Sequence, residues 1–250
     1  MSDWRCVGAS VTGSRHRAEG VPCDDALRYF GGSSLILVIA DGAGSASRGG
    51  EGARLLVDSS IKQSRQVFAE GLPSRTADLR TALYRLLARV RADVEEHVET
   101  SGAVTLTDLA STIAVVVADN ERLGAIQVGD GAIVVLRRDG RLEQIAAPNQ
   151  PEFVNQTTFL TSPSWRTSAA SHVEDGAGIA AVAMMTDGLV PLATQRPAGT
   201  PHRLFFAPLF DFAASNGPDE EKLAAFLESD RVQGATGDDV TILLTHRGST

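Results

Sequence analysis

Residues 35–50 read LILVIADGAGSASRGG. The first six of these residues are apolar and mostly branched, a pattern typical of a strand buried on both faces. Asp41 follows directly, so its carboxylate is predicted to stand at the end of that strand. The glycines that come next permit turns forbidden to other residues and let a backbone carbonyl approach a ligand closely. An acidic residue in this setting is half of a site for a hard cation, whereas many Asp-Gly pairs are turns alone.

Three further acidic turns adjoin short apolar segments of the chain. Each places one or two carboxylates at an end of a predicted strand. Oxygen ligands dispersed along a chain in this way suit Mg²⁺ or Mn²⁺ better than zinc or iron. The turns are CDDA at residues 23–26, TDGL at residues 186–189 and GDDVT at residues 237–241.

Composition limits the class of protein. Of the 250 residues, 43% are hydrophobic and 22% charged, which is ordinary for a soluble chain with a sizeable core. No apolar stretch approaches the roughly 20 residues of a membrane helix, and the first ten residues do not resemble a secretory signal. Two cysteines, Cys6 and Cys23, are too few for a disulfide framework, so we expect a reduced, cytoplasmic setting. The net charge of −8 argues against a nucleic-acid surface and an anionic membrane.

Hydrophobic spacing predicts long helices beside runs of hairpins. Apolar residues recur at helical spacing in residues 51–68, 76–98 and 220–227. Tight turns join most of the predicted strands, which requires antiparallel pairing. Such segregated layers indicate the α+β class, and without an internal repeat or linker we expect one domain over residues 1–250.

Residues 13–22 read as a polar turn. The predicted strands are residues 4–11, 27–30, 35–40, 112–118, 123–128, 132–136, 142–146, 157–161, 179–183 and 242–244.

Six short motifs, taken in order and spacing, resemble the type 2C, metal-dependent protein serine/threonine phosphatases, above all their compact bacterial branch. The likeness spans roughly residues 5–245. It implies a four-layer αββα sandwich, in which two stacked antiparallel sheets are flanked by helices. It also implies hydrolysis of phosphoserine and phosphothreonine in proteins. The motifs are DDA at residues 24–26, ADGAG at 40–44, STIAVVV at 111–117, QVGDG at 127–131, TDGL at 186–189 and GDDVT at 237–241.

The resemblance also implies a binuclear Mg²⁺ or Mn²⁺ centre. Two cations roughly 3.5–4 Å apart can acidify a bridging water and clamp the phosphate. Asp41 would bridge them and so take part in catalysis, while Asp187 and Asp238 complete the first ion. The second ion would be reached by Asp24 and Asp25, and an optional third ion by Asp130 with Asp187. The full implied ligand set is Asp24, Asp25, Asp41, the Gly42 carbonyl, Asp130, Asp187 and Asp238.

This chain departs from the family pattern around the phosphate. Gly20 stands where many members carry a phosphate-binding arginine. Arg15, His16 and Arg17 in the preceding turn are candidates to bind substrate instead, since an arginine can grip phosphate with two hydrogen bonds. His16 could also act as general acid, and Arg17 is a further catalytic candidate. The alternative interpretation is that Arg15, His16 and Arg17 belong to an exposed basic turn without a role at the site. Asp239 replaces a frequent asparagine.

The predicted partner is a phosphorylated protein, in opposition to a serine/threonine kinase in signal transduction. We expect a cytoplasmic monomer that binds neither nucleic acid nor membrane. Residues 147–171 either cover the site, as in the family, or form an ordinary surface connection. Two alternatives stay open, a non-catalytic module that binds a phosphoprotein or kinase and a hydrolase of small phosphorylated metabolites. Chelator-sensitive release from p-nitrophenyl phosphate excludes the first, and comparison of phosphopeptides with sugar phosphates tests the second.

Overall fold

Two five-stranded sheets form the centre of the protein. The computed structural model describes residues 4–31, 34–147, 157–195, 199–215 and 217–248. The front sheet has the order β2-β3-β4-β5-β8 and the back sheet the order β1-β12-β9-β6-β7, with antiparallel pairing at every described junction. The strands are β1 Trp4–Val11, β2 Asp25–Phe30, β3 Leu35–Asp41, β4 Ile113–Ala118, β5 Arg122–Val128, β6 Ala132–Arg137, β7 Leu142–Ile145, β8 Ala170–Asp175, β9 Ile179–Met185, β10 Thr194–Gln195, β11 Thr200–Pro201 and β12 Val240–Arg247.

Helices cover the outer face of each sheet. Within the described ranges, α2 and α3 are the longest and lie on the front sheet, while α6 and α7 lie on the back sheet. None of the described helices has the length and apolar character needed to cross a membrane. The helices are α1 Ser14–Glu19, α2 Gly49–Val67, α3 Thr76–Ser101, α4 Trp165–Ser168, α5 Val190–Ala193, α6 Arg203–Ala214, α7 Glu220–Leu227 and α8 Asp230–Gln233.

Three hydrophobic layers hold the four structural layers together. Leu86 of α3 packs with Val115 of β4 in the outer core of the front sheet. Leu37 and Val135 belong to the core between the two sheets. Phe206 of α6 is fully buried against the back sheet. These layers confirm the predicted αββα sandwich.

Strand β3 takes part in two of these cores at once. Its even-numbered residues Ile36 and Val38 face α2 and α3, and its odd-numbered residues Leu37 and Ile39 face the other sheet. Successive side chains of a strand point to opposite faces, so a strand between two cores must be apolar throughout. The prediction of a strand buried on both faces is therefore confirmed.

Several local predictions are wrong. Residues 13–22 contain α1, which ends at Gly20 with a positive φ of 70°. No strand forms at residues 157–161, where Arg91 instead donates hydrogen bonds to the carbonyls of Leu160 and Ser162. Neither α6 nor β8 is among the predicted elements. The centre of the predicted turn at residues 31–34 and residues 148–156 lie outside the described ranges.

Gly52 provides a test of the packing between α2 and the loop that precedes β4. A Cβ at position 52 would lie 2.2 Å from the carbonyl oxygen of Leu109. Because that atom belongs to the backbone, we expect Gly52→Ala to lower the free energy of unfolding by about 1–3 kcal/mol, despite the better helix propensity of alanine. Gly178→Ala is the matched control, since no atom lies within 4 Å of its added Cβ. Equal melting temperatures for the two variants would contradict this packing.

Candidate functional site

The strand registers bring the acidic turns to one end of both sheets. In the front sheet, Asp25 at the start of β2 pairs directly with Asp41 at the end of β3. In the back sheet, Asp187 lies two residues after the end of β9, and Asp238 lies two residues before β12, the strand that pairs with β9. The Asp41 and Asp187 carboxyl groups interact across the two sheets, and each shifts the pKa of the other. Residues far apart in sequence thus form one cluster.

Burial and mutual repulsion raise the pKa of the three inner carboxyl groups. For Asp41 the main cause is burial, followed by the charges of Asp25 and Asp187. Burial also raises the pKa of Asp25, although hydrogen bonds from Thr241 and Thr186 oppose it. The pKa of Asp187 is raised by burial too. Without added positive charge, the three groups resist ionising together.

This donor set fits divalent cations. Carboxylate oxygens are the ligands that Mg²⁺ and Mn²⁺ prefer, and a bound cation removes the repulsion that keeps these groups protonated. Within the described ranges, no three acidic, histidine or cysteine side chains are already arranged around a single cation position.

Asp130 and Asp238 lie around the inner cluster. The charge of Asp130 raises the pKa of both Asp41 and Asp187, and its Oδ2 accepts a hydrogen bond of 2.6 Å from the Thr157 hydroxyl. The charge of Asp238 also raises the pKa of Asp187. Both residues are therefore close enough to the cluster to act on it.

Asp24 is turned toward a helix. Its carboxylate accepts a hydrogen bond from the backbone N–H of Gly50, in the first turn of α2. That N–H has no partner inside the helix, and a negative charge there is favourable. The backbone carbonyl of Asp24 accepts the Gly42 N–H at 3.2 Å. Asp24 thus lies between the start of α2 and the cluster, and its role as a metal ligand stays a prediction.

The three basic candidates of α1 point in different directions. The Arg15 guanidinium lies 3.8 Å from the Asp238 carboxylate and is largely exposed. His16 Nδ1 lies 2.9 Å from Asp239 Oδ2. Arg17 instead donates to the Thr12 carbonyl and to the Gln233 side chain. The structure therefore brings Arg15 and His16, but not Arg17, next to the acidic turns.

A family model described as Protein phosphatase 2C matches residues 12–228. The chain belongs to the protein phosphatase 2C family. The matched region includes Asp41 and Asp187, whereas Asp238 lies beyond its end. The family resemblance drawn from the sequence motifs is thereby confirmed.

Relatives of known name and structure cover nearly the whole of this phosphatase 2C chain. Serine/threonine-protein phosphatase 3 of Escherichia coli strain K12 is 31% identical over 252 residues, or 96% of this chain and 97% of that protein. A bacterial serine phosphatase variant has a TM-score of 0.68 at 14% identity, with 98% of each chain covered. The catalytic domain of the phosphatase PstP, solved in complex with two manganese ions, has a TM-score of 0.63 at 19% identity over all of both chains. These structures establish the fold.

Three polar residues of the phosphatase 2C site were missed by the sequence analysis. The Thr186 hydroxyl donates to Asp25 at 2.8 Å and accepts the Thr241 N–H. The Thr112 hydroxyl accepts the Asp41 N–H at 3.0 Å. The Asp239 carboxylate accepts hydrogen bonds from the backbone N–H groups of Gly13 and Asp24, and it lies 2.9 Å from His16 Nδ1. Each missed residue is a polar side chain at the end of an apolar strand, and that position is the signal by which it could have been found.

Metal-free protein is expected to lose stability as the pH rises between about 4 and 8. An ordinary aspartate titrates near 3.8, and in the folded protein Asp41, Asp25 and Asp187 hold their protons to higher pH. Over this range the folded state binds more protons than the unfolded chain, so the free energy of unfolding falls with pH. Thermal melts in a chelating buffer measure this slope. Asp41→Asn should flatten it, and an equal slope in that variant would contradict the assignment.

Proposed function

We propose that this protein removes phosphate from phosphoserine and phosphothreonine in proteins, with two divalent cations bound by the carboxylate cluster. Membership of the phosphatase 2C family makes the chain a serine/threonine protein phosphatase, and the named relatives support that class. The observation that carries the site is the meeting of Asp25, Asp41 and Asp187 at one end of both sheets. The two manganese ions of PstP support the choice of ions.

The proposed ligands are the residues nearest that cluster. Asp41 would serve both ions, because it touches Asp187 in the back sheet and pairs with Asp25 in the front sheet. Asp187 and Asp238, with the Gly42 carbonyl, would complete the set, and Asp130 would hold a third ion if one binds. Bound cations supply a water of lowered pKa and neutralise charge on the phosphoryl group. Asp24 would act mainly by fixing α2 and the Gly42 backbone.

The side chains of α1 would handle the phosphate and the leaving group. Arg15 is exposed and loosely paired with Asp238, so its guanidinium is available to bind phosphoryl oxygens. Burial acts to lower the pKa of His16, but its hydrogen bond to Asp239 and nearby carboxylate charges outweigh burial and raise it. His16 is thus suited to carry a proton to the leaving oxygen.

The proposed setting follows from the charge and chemistry of the chain. A net charge of −8 disfavours nucleic acid as a partner. We propose a cytoplasmic monomer that acts in signal transduction on phosphorylated proteins, in opposition to a serine/threonine kinase.

Substrate preference tests the proposed function. The protein is incubated with Mn²⁺ and either a phosphoserine peptide, a sugar phosphate or p-nitrophenyl phosphate, and phosphate release is measured with and without chelator. The highest kcat/KM on the peptide, lost with chelator, is the expected result. Faster turnover of the sugar phosphate would point to a small-molecule hydrolase. A protein inert toward all three would be a binding module.

Arg15→Ala is expected to raise KM for a phosphopeptide about 10- to 100-fold, with a smaller change in kcat. A charge-assisted hydrogen bond contributes about 1.5–3 kcal/mol, which corresponds to that range. Arg17→Ala is the matched control from the same helix, because Arg17 contacts Thr12 and Gln233 instead of the acidic turns. Steady-state kinetics on both variants test this role. An equal rise in KM for Arg15→Ala and Arg17→Ala would contradict phosphate binding by Arg15.

A further inference from the structure

We propose that Asp239 is a positioning residue that orients the His16 ring, so that its Nε2 atom delivers the proton to the departing serine or threonine oxygen. This inference rests on the proposed function. Asp239 belongs to none of the ligand positions assigned above, although it directly follows Asp238. Its carboxylate is almost completely buried, and its contacts lead toward α1.

Both oxygens of the Asp239 carboxylate are occupied by donors. Oδ1 accepts the Gly13 N–H at 2.7 Å. Oδ2 accepts the Asp24 N–H at 2.6 Å and lies 2.9 Å from His16 Nδ1. One side chain thus ties together the start of α1, the residue that caps α2 and the imidazole ring. A buried carboxylate is fully satisfied by such a set of donors.

This arrangement decides which ring nitrogen faces the reaction. Both Asp239 oxygens already accept backbone N–H groups, so Oδ2 also faces His16 as an acceptor and Nδ1 carries the hydrogen of that contact. Nε2 is then the nitrogen left to exchange a proton with another group. The ring is only slightly exposed, and the hydrogen bond restrains its rotation. The ring also lies near Asp238, whose charge raises the pKa of His16 and whose carboxylate lies 3.8 Å from the Arg15 guanidinium, so both side chains border the same acidic turn.

The proposed step balances as follows. The oxygen of a water molecule forms a bond to phosphorus, and the bond between phosphorus and the serine oxygen breaks. The electron pair of that bond stays on the serine oxygen, which takes the proton from His16 Nε2. The proton lost by the attacking water passes to solvent, and solvent reprotonates His16. The hydrogen on Nδ1 stays on the ring throughout and remains directed at Asp239.

The leaving group supplies the test. A serine alkoxide needs a proton to depart, whereas p-nitrophenolate leaves as a stable anion. At saturating Mn²⁺, we expect His16→Gln and Asp239→Asn each to lower kcat on a phosphoserine peptide at least about 10-fold, within the 10²–10⁴ range of general acid catalysis for His16. Turnover of p-nitrophenyl phosphate should stay within about threefold of the parent, because that reaction does not use the proton. The double variant should be no slower than the slower single variant.

Controls separate positioning from structural support. Asp239→Glu keeps a carboxylate and should recover part of the peptide turnover. Asp219→Asn is the matched control, because its carboxylate also accepts a backbone N–H but lies at the start of α7. Mn²⁺ titrations monitored by melting temperature check that the ions still bind. Equal losses on both substrates, or a loss explained by weaker Mn²⁺ binding, would overturn the positioning role. A parent inactive on both substrates would instead overturn the proposed function.

Discussion

Asp41→Asn is expected to lower kcat/KM on a phosphopeptide by about 10³-fold or more while the protein stays folded. Asp41 meets Asp187 of the other sheet and pairs with Asp25 of its own, so it would contact both cations. An amide has the same shape but no charge, and loss of cation-based charge stabilisation costs several kcal/mol, each 1.36 kcal/mol being tenfold in rate. The chelated variant should also melt at a higher temperature than the chelated parent near neutral pH, because Asp41 must take up a proton when the metal-free protein folds, whereas an amide needs none.

A surface substitution is the control for this prediction. Asp139→Asn removes a charge from the exposed turn between β6 and β7, where the carboxylate contacts Arg141. Its kinetics should match those of the parent. Circular dichroism and thermal melts establish that both variants are folded. If Asp41→Asn retained parental turnover with Mn²⁺, the cluster would not be the catalytic centre.

Removal of divalent ions is expected to abolish turnover, and added Mn²⁺ should restore it and raise the melting temperature by about 8–16 °C. A ligand at 1,000 times its Kd stabilises the folded state by about 4 kcal/mol. For a domain of this size, each kcal/mol corresponds to about 2–4 °C. Burial raises the pKa of Asp25, Asp41 and Asp187 in the metal-free protein, and bound cations would stabilise the ionised form of these carboxylates.

The cluster variants show where the ions act. Asp41→Asn and Asp187→Asn should lose most of the Mn²⁺-dependent rise in melting temperature, whereas Asp139→Asn should keep it. Isothermal titration calorimetry on the same proteins gives the number of ions bound. If Mn²⁺ raised the melting temperature of Asp41→Asn as much as that of the parent, manganese would be stabilising the protein from another site.

Much of the fold was predictable because local signals agreed with the final packing. Strand β3 is apolar throughout because it lies between two cores, and α3 carries a continuous apolar stripe. The missed elements lack such signals. Pro208 lies inside α6, and a proline normally argues against a helix interior. Strand β8 is only partly buried along its length, so its sequence shows no clear alternation.

The sequence was enough to predict which aspartates belong to the candidate site. The directions in which their side chains point are seen only in the structure. Acidic turns at strand ends are visible in the sequence, and the family resemblance proposed their roles. Asp24 faces the amides of α2 because the start of that helix lies beside β2, which depends on tertiary packing. Likewise, the bond from Gly13 to Asp239 joins residues 226 positions apart. Sequence spacing carries no information about such pairs.

The pairing of β1 with β12 has a consequence for biosynthesis. Trp4 lies opposite Arg247, so β1 has no partner in its sheet until β12 has been synthesised. Pairing across so great a sequence separation is slow, and the waiting strand is exposed to chaperones and to aggregation. Asp238 and Asp239 emerge together with β12. A chain whose synthesis has not yet reached β12 therefore lacks part of the proposed metal site, and we expect it to have no phosphatase activity.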